Sequence, residues 1–342
     1  MILTLLSNMA NITEIAKALN IAPSTVSRAL KKPAMVSLET RHKVLRMAEK
    51  LGYLQHLRED AAIATSSKLI GVIVADLTNP FSNQIVKSVH DTLKEKGYST
   101  IIGCNYEHSG YENELLKQWV SLNLLGLIIM PSAKFAKTIK TSDLNLPVVL
   151  VDRDCPELPF DSVIEDNRFG THQTLEHLNN LGHKKIAFIS GSRSVYTFNE
   201  RCSGVEDSSV SAEIVEINSD IYDDLLIGAF EQTNILMMRN SFQRPTAIIG
   251  ANNVITSGIL YALSLKGLKI PEDVSVIAYG DSEWCRFYPT PITSVCQPVE
   301  EMGRVAANLL LSRIEGKSHS QQKICLKSML MRRASTADIN KI

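Results

Sequence analysis

The sequence predicts an N-terminal all-α helix-turn-helix head and an α/β body, the body being two doubly wound parallel-sheet subdomains with a ligand cleft between them. Apolar residues recur at helical spacing before residue 52, whereas from Leu69 onward short apolar runs alternate with helical patterns. The runs of the body form two similar sets that divide near "DSVIEDN", around Ser162 to Asn167. The charged residues are also distributed unevenly. Residues 1–58 hold nine Lys and Arg and three Asp and Glu, whereas the rest of the chain holds 27 Lys and Arg and 33 Asp and Glu.

Three helices are predicted in the head, the first with one apolar face from Ile12 to Leu19. The tripeptide "NIA", Asn20 to Ala22, is short enough to be the turn. Pro23 suits the first position of the second helix, where its missing N–H would have no partner anyway. The third helix is predicted to begin at Ser37 and to stop at Gly52.

The second helix carries small polar residues in its first turn and Arg28 one turn later. Such a turn can enter a major groove, because no bulky side chain holds the backbone away from the bases. Arg28 would then form a bidentate pair with guanine, while Thr25 and Ser27 would hold phosphates. The basic head indicates a polyanionic partner. The alternatives are a solvated basic surface and a small three-helix domain that binds protein.

The segment "ITEIAKALNIAPSTVSRAL…VSLETRHKVLRMAEKLGY" resembles the DNA-binding head of the LacI/GalR family of bacterial transcriptional regulators, from Ile12 to Tyr53 without a gap. The resemblance implies that Pro23, Ser24 and Arg28 read bases and that Thr25 and Ser27 face the DNA backbone. Pro23 lacks a polar side chain, so its contact would be apolar, for example with a thymine methyl group.

The resemblance also implies a hinge in "LQHLREDAAIATSSKL". In the family this stretch forms a short helix when two copies meet on DNA, and an apolar wedge enters the minor groove. The wedge position falls on Ala62, with Ile63 beside it, and Asp60 replaces the usual arginine. A shallower kink is expected, unless Ile63 acts as the wedge. The implied domains are the DNA-binding head at 1–57, the hinge at 58–67, and an effector-binding and dimerisation domain at 68–342.

The body has eight apolar runs that are predicted to be strands: "LIGVIVAD", "YSTIIGC", "LLGLIIM", "LPVVLVD", "KKIAFISG", "AEIVEI", "PTAIIGAN" and "DVSVIAYG". Ligands of open α/β sheets bind outside the carboxyl ends of such strands. The amide, guanidinium, carboxylate and aromatic groups found at those ends suit a polyhydroxylated ligand. Purely structural roles remain open for some of these residues. Asn79 before Pro80 can cap a helix, Asp152 and Arg153 can form a structural ion pair, and Phe81 can belong to the core.

The motifs "LTNPF", "VDRD", "FNER", "GANN", "YGDS" and "VCQP" are similar to cleft segments of LacI/GalR regulators and of the related periplasmic sugar-binding proteins. The resemblance implies effector contacts by Asn79, Phe81, Asp152, Arg153, Arg201, Asn252 and Gln297, with Tyr222 near an aromatic cleft position. Two departures follow. Gly280 replaces the first of two adjacent acids and leaves Asp281 as the effector contact expected at this point. The segment after Arg201 is several residues short, which predicts a truncated helix.

The resemblance therefore implies a cytoplasmic regulator, expected to be a repressor, that binds double-stranded operator DNA as a homodimer. A sugar, sugar acid or sugar phosphate in the cleft would change its operator affinity. No heptad tail follows Arg333, which favours the dimer over a tetramer. A periplasmic-type sugar-binding protein would explain the body but not the head.

An enzyme is the third possibility, but the sequence has no G-x-G-x-x-G after a strand, no P-loop and no G-x-S-x-G. The six scattered cysteines favour reduced thiols in a cytoplasm over a zinc site or a disulfide framework. No cofactor and no metal are expected, and no run is long enough to predict a membrane span.

Overall fold

The computed structural model describes residues 12–31, 36–51, 68–120, 122–141, 144–317 and 320–341. The chain divides into two compact units, residues 1–67 and residues 68–342. The predicted hinge at 58–67, with Ala62 and Ile63, lies outside the described residues.

The N-terminal unit contains the helices α1 (Ile12–Leu19), α2 (Pro23–Lys31) and α3 (Leu38–Lys50). Each helix presents apolar residues at helical spacing to a shared core, which explains why three short helices form a stable unit together. The buried core residues are Ile15, Ala16, Val26, Ala29, Val44 and Ala48.

The turn between α1 and α2 is tight. Asn20 takes a left-handed backbone with φ of +51°, which asparagine tolerates better than most residues. The Ile21 N–H donates to the Ala16 carbonyl at 3.0 Å and closes the end of α1. At the start of α3, the Ser37 hydroxyl accepts from the Thr40 N–H at 3.2 Å, so Ser37 caps the helix that it was predicted to begin.

The first subdomain of the C-terminal unit is built on a parallel sheet with the strand order β11-β5-β4-β3-β1-β2. Its strands are β1 (Leu69–Val74), β2 (Ser99–Cys104), β3 (Gly126–Ile129), β4 (Val148–Val151), β5 (Asp161–Glu165) and β11 (Lys323–Leu326). The helices packed with this sheet are α4 (Pro80–Glu95), α5 (Ser109–Val120), α6 (Phe135–Thr138) and α12 (Val299–Ile314).

Both faces of this sheet are covered. Val72 and Val74 of β1 pack in a cluster with α4 and α12, whereas Ile73 between them packs in a second cluster with α5 and α6. Because alternate side chains point to opposite faces, a strand buried on both sides appears as a continuous apolar run. The sequence "LIGVIVAD" has that form.

The second subdomain has a sheet with the order β12-β10-β9-β8-β6-β7, in which only β12 is antiparallel to its neighbour. Its strands are β6 (Ile186–Ser190), β7 (Glu213–Glu216), β8 (Ala247–Gly250), β9 (Ser275–Tyr279), β10 (Thr293–Cys296) and β12 (Met329–Met331). Its helices are α7 (Asn167–Asn180), α8 (Tyr196–Glu206), α9 (Tyr222–Met238), α10 (Asn253–Leu265) and α11 (Trp284–Phe287).

The chain passes between the two subdomains three times, from β5 to α7, from β10 to α12 and from β11 to β12. The predicted dividing segment contains β5, and α7 begins two residues after the end of that strand, at Asn167. The short segment after Arg201 is accommodated because α8 ends at Glu206 and β7 follows at Glu213.

Candidate effector cleft and DNA-binding helix

A cavity of about 440 Å³ lies between the two subdomains, at the carboxyl ends of strands from both sheets. Its position is the one that an open parallel sheet favours for ligands, because the loops after the strands converge there. Eight of the nine predicted effector residues line this cavity, namely Asn79, Phe81, Asp152, Arg153, Arg201, Tyr222, Asn252 and Gln297.

Asn79 caps a helix, which is one of the two roles that the sequence left open, and it lines the cavity. Its side-chain oxygen accepts from the Phe81 N–H at 3.0 Å and caps α4. The same oxygen accepts from Asn253 Nδ2 at 3.0 Å, which comes from α10 of the other subdomain. Asn79 is therefore a helix cap that also joins the two walls of the cleft.

Arg153 is paired mainly with Glu107, not with its neighbour Asp152. Arg153 Nη2 lies 2.6 Å from Glu107 Oε1, and Arg153 Nη1 donates to Glu107 Oε2 at 2.8 Å and to the Pro131 carbonyl at 2.9 Å. The distance from Arg153 Nε to Asp152 Oδ2 is 3.6 Å. Glu107 follows β2, so the strand-end rule that selected other residues applies to this missed residue as well.

Asp152 is a buried carboxylate in an unusual backbone conformation. It is 5% exposed and has φ of +70°. Its Oδ1 atom accepts no hydrogen bond from the described part of the chain. Burial raises the pKa of Asp152 to about 6, although the charges of Arg153 and Arg201 act in the opposite direction.

Arg201 is buried and held by the floor of the cleft. Its Nε donates to Asn167 Oδ1 at 2.8 Å, and its Nη1 donates to the Ala251 carbonyl at 2.7 Å. Its guanidinium lies over the ring of Tyr279, 3.8 Å from the ring centroid. Arg201 Nη2 lies 3.4 Å from Glu165 Oε2.

Glu165 binds residues from several segments of the cleft floor. Besides Arg201, it accepts from Gln297 Nε2 at 2.7 Å and from the Tyr279 hydroxyl at 2.9 Å. Glu165 and Gln297 lie next to two of the three crossovers between the subdomains. Sequence reasoning missed Glu165, because its strand was treated only as the dividing segment.

Asn252 caps α10, since its side-chain oxygen accepts from the Ile255 N–H at 2.8 Å. Tyr222 opens α9 on the same side of the cavity. Phe81 and Phe198 add apolar surface from the first and the second subdomain.

Asp281 corrects the predicted set, because it does not line this cavity and belongs to a neighbouring groove. Its carboxylate is engaged by Arg333 at 2.7 Å, by the Ser294 hydroxyl at 2.7 Å and by Arg286 at 3.2 Å. Burial acts to raise the pKa of Asp281, but the hydrogen bonds from these three residues hold it below its ordinary value.

Gly280 has φ of +97°, and a Cβ atom there would lie 3.5 Å from Gln297 Oε1. A left-handed backbone of this kind suits glycine and strains an acid. The local backbone thus explains why a glycine stands before Asp281.

The structure places the predicted DNA-contacting residues along α2. Pro23, Ser24 and Arg28 are exposed, and Thr25 and Ser27 are half-buried. Ser24 and Arg28 are one turn apart and therefore share a face of the helix. Val26 and Ala29 point into the core.

The structure also bears on whether the chain spans a membrane or binds a metal ion. In the described ranges, no helix has the length and apolar content that crossing a membrane requires. Over the same residues, no group of three or more His, Cys, Asp and Glu side chains is arranged to hold a metal ion.

Residues 11–55 match the family of bacterial regulatory proteins, lacI family, and residues 175–336 match the periplasmic binding protein-like domain. The HTH-type transcriptional repressor PurR of Haemophilus influenzae is 31% identical over 323 residues, which cover 92% of this chain and 94% of that relative.

Solved structures are similar as well. A LacI family transcriptional regulator from Enterococcus faecalis V583 with bound ribose has a TM-score of 0.69 and 26% identity, and the match covers 79% of this chain and 99% of that one. The lac repressor dimer bound to operator and the anti-inducer ONPF has a TM-score of 0.68 and 24% identity, covering 96% of this chain and 99% of that one, and shows the shared fold.

A helix-turn-helix unit combined with a two-subdomain ligand-binding fold defines the class of ligand-responsive transcription regulators. The chain belongs to the LacI family of bacterial regulatory proteins.

Proposed function

We propose that this chain is a transcriptional repressor that binds operator DNA through α2 and changes its operator affinity when a small polyhydroxylated effector occupies the cleft. The position of the cavity carries the proposal. Its lining comes from two subdomains that three crossovers connect, so a ligand that contacts both stabilises one arrangement of them. Such a ligand shifts operator affinity only as far as its own affinities for the two arrangements differ.

On the DNA side, Arg28 is the proposed base-reading residue, and Pro23 and Ser24 approach the same groove. A bidentate pair between Arg28 and guanine discriminates against other bases by about 1–3 kcal/mol. Thr25 and Ser27 are proposed to contact phosphates, which fix the register on the duplex without reading sequence. The exposure of Pro23, Ser24 and Arg28 on α2 supports the base-reading part of this assignment.

In the hinge, Ala62 is proposed as the wedge, with Ile63 beside it. An alanine fills less of an opened base step than a leucine, so a shallow kink is expected. Ala62→Leu should raise operator affinity and bend angle together, measured by gel mobility with circularly permuted operator fragments. If both stay unchanged, the wedge lies elsewhere.

On the effector side, a ligand is proposed to bond to the polar groups of Asn79, Asp152, Arg153, Arg201, Asn252 and Gln297. Phe81 and Tyr222 are proposed to pack against its apolar faces. A lining of this kind, with convergent polar groups and aromatic surface, is typical of sugar sites.

A homodimer is proposed to form through one face of α9 and α10. Ile227, Ile235 and Met238 are exposed at helical spacing on α9, and Tyr261 and Leu265 are exposed one turn apart on α10. The rings of Phe230 and Tyr261 join the two helices, with centroids 5.2 Å apart. A second copy of the chain is the proposed partner of this face, because the lac repressor structure that matches 96% of this chain is a dimer bound to operator.

The dimer proposal is tested by Leu265→Glu, which should convert the dimer to monomer in sedimentation equilibrium because it places a charge in the proposed apolar interface. Phe287→Glu, which alters an exposed aromatic residue outside α9 and α10, is the control and should remain dimeric. Two dimeric variants would exclude this face as the interface.

The same proposal includes a cytoplasmic location, where operator DNA is accessible, and ligand binding without turnover. Chemical conversion of a bound ligand by the purified chain would favour an enzyme instead.

The overall proposal is tested by a thermal-shift screen of the full chain against neutral sugars, amino sugars, aldonates and sugar phosphates. Each compound that raises the melting temperature is then added to an operator-binding titration. The proposal requires at least one of them to change the operator dissociation constant. Stabilising compounds that leave the constant unchanged would indicate a binding protein without a regulatory role.

A further inference from the structure

The cavity is rich in carboxylates and poor in cations. Among its described lining residues, arginine is represented by Arg153 and Arg201, and lysine is absent. The acidic lining residues are Asp76, Glu107, Asp152, Asp220 and Asp223.

Both arginines already have internal carboxylate partners. Arg153 is paired through two nitrogens with Glu107, and Arg201 lies beside Glu165 while it also donates to Asn167 and Ala251. Arg153 Nε donates no hydrogen bond among the described residues, but it lies 3.6 Å from Asp152 Oδ2. Both positive charges are therefore faced by carboxylates of the protein, and an anionic ligand would gain little from them. Of the other lining carboxylates, Asp76, Asp220 and Asp223 have no ion-pair partner in the described lining.

One oxygen of Asp152 lacks a hydrogen-bond partner in the described part of the protein. Asp152 lines the cavity, and its Oδ1 atom is buried and accepts no hydrogen bond from the described residues, whereas Oδ2 lies 3.6 Å from Arg153 Nε. A ligand hydroxyl satisfies the hydrogen bond but leaves the charge, whereas a buried carboxylate is stabilised most by a hydrogen-bonding cation. A protonated amine supplies both.

Asp220 brings a second acid to the same cavity from the other subdomain, where it follows β7. Burial raises the pKa of Asp220, the charge of Glu107 on the first subdomain raises it further, and Arg153 and Lys134 act to lower it. Carboxylates of the two subdomains therefore repel each other across the cavity. A cation between them removes the repulsion and favours the arrangement in which both subdomains contact the ligand.

We propose that the effector is a small polyhydroxylated molecule that carries a protonated amine, of the amino-sugar class, and that the cavity rejects the phosphorylated or carboxylated molecule of the same skeleton. This inference rests on the proposed function and narrows its effector class. The amine lies between Asp152 and Asp220, and the hydroxyl groups face the amides of Asn79 and Gln297.

The test is isothermal titration of the full chain at pH 7 with two matched series on the glucose and galactose skeletons, each comprising the 2-amino sugar, the neutral sugar, the 6-phosphate and the aldonate. In at least one series the amino sugar should bind at least about tenfold more tightly than the neutral sugar. A tenfold ratio corresponds to about 1.4 kcal/mol of binding free energy. The 6-phosphate and the aldonate should give no binding heat.

Asp220→Asn should reduce the affinity for the amino sugar about tenfold and change that for the neutral sugar less than about twofold, because only the amine interacts with the lost charge. Glu272→Gln, an exposed carboxylate outside the cavity lining, is the control and should change neither affinity. A neutral or anionic member that binds as tightly as its amino sugar overturns the inference. So does the absence of heat from both amino sugars at 10 mM, a concentration that detects even the millimolar binding of a weak ligand.

Operator binding separates this inference from the proposed function. A neutral or anionic ligand that changes operator affinity keeps the proposed function and overturns the amine assignment. An amino sugar that binds tightly but leaves operator affinity unchanged supports the amine assignment and contradicts the proposed function.

Discussion

Asn253 Nδ2 donates to Asn79 Oδ1 at 3.0 Å and so joins the first turn of α10 in one subdomain to the cap of α4 in the other. Both residues line the cavity. A ligand group that donates to Asn79 Oδ1 therefore competes with a contact that holds the two walls of the cleft together. This contact, like those of Glu165 with Arg201 and Tyr279, directly links the cavity to the arrangement of the subdomains.

Asn253→Ala should loosen the unliganded cleft, because it removes this contact and leaves the cap of α4 intact. We expect a loss of about 1 kcal/mol in the free energy of unfolding, typical of one hydrogen bond. Asn79→Ala removes the contact and the cap together and should cost about 0.5–2 kcal/mol more. Urea unfolding of both variants checks the order, and equal losses would show that the cap contributes nothing.

Arg28→Ala should weaken operator binding by about 1–3 kcal/mol and relax the preference at one base pair. Arg46→Ala, which removes an exposed cation from α3, is the matched control and should weaken binding to all sequences alike. Fluorescence anisotropy with operator variants measures both effects. A uniform loss for Arg28→Ala would mean that Arg28 contacts the DNA backbone only.

Asp152 should make the unliganded protein less stable as the pH rises. Its pKa lies at about 6 in the folded protein, against an ordinary value of 3.8, because burial disfavours the ionised form. Between these values the folded state binds a proton that the unfolded chain releases, so stability falls with increasing pH and the full loss is reached above about pH 7.

Asp152→Asn removes this loss, and asparagine tolerates the left-handed backbone at this position. The variant should gain about 3 kcal/mol in unfolding free energy at pH 8, and the gain should shrink as the pH falls toward 4. Urea unfolding at several pH values checks this, with Glu272→Gln as the exposed-carboxylate control. A gain of the same size at every pH would rule out titration of Asp152 as the cause.

Glu165→Ala should destabilise the second unit by about 3–5 kcal/mol, because it leaves the buried guanidinium of Arg201 without its paired carboxylate and removes an acceptor of Gln297 and Tyr279. Glu176→Ala, at an exposed position on α7, should cost less than about 0.5 kcal/mol. Thermal unfolding compares the two. If Glu165→Ala is as stable as Glu176→Ala, the cleft floor does not depend on this carboxylate.

Much of the fold follows from local patterns. All eight predicted apolar runs contain strands. Six of these strands are buried almost throughout, and strands covered on both faces are continuously apolar, whereas β2 and β7 are partly exposed edge strands. The strands β5, β10, β11 and β12 were not assigned. β5 was treated only as the dividing segment, and β11 and β12 pair with strands far away in sequence, a pairing that no local signal marks.

The sequence predicted several residues of the candidate site that lie at the end of a strand. Asn79, Arg153 and Asn252 follow strands and were found in this way. Glu107 follows β2 and Glu165 ends β5, so the strand-end rule covers both, but no local pattern reveals that they pair with arginines distant in sequence. Asp281 was misplaced because the strand-end rule does not show that Arg333 already holds its carboxylate.

The most direct test of the account is an operator titration of the full chain with and without a saturating effector from the thermal-shift screen, repeated over a range of salt concentrations. We expect a steep fall of affinity with salt, since neutralised phosphates release counterions. We also expect the effector to change the operator dissociation constant about tenfold or more at fixed salt. An operator affinity that is the same with and without bound effector would contradict the account.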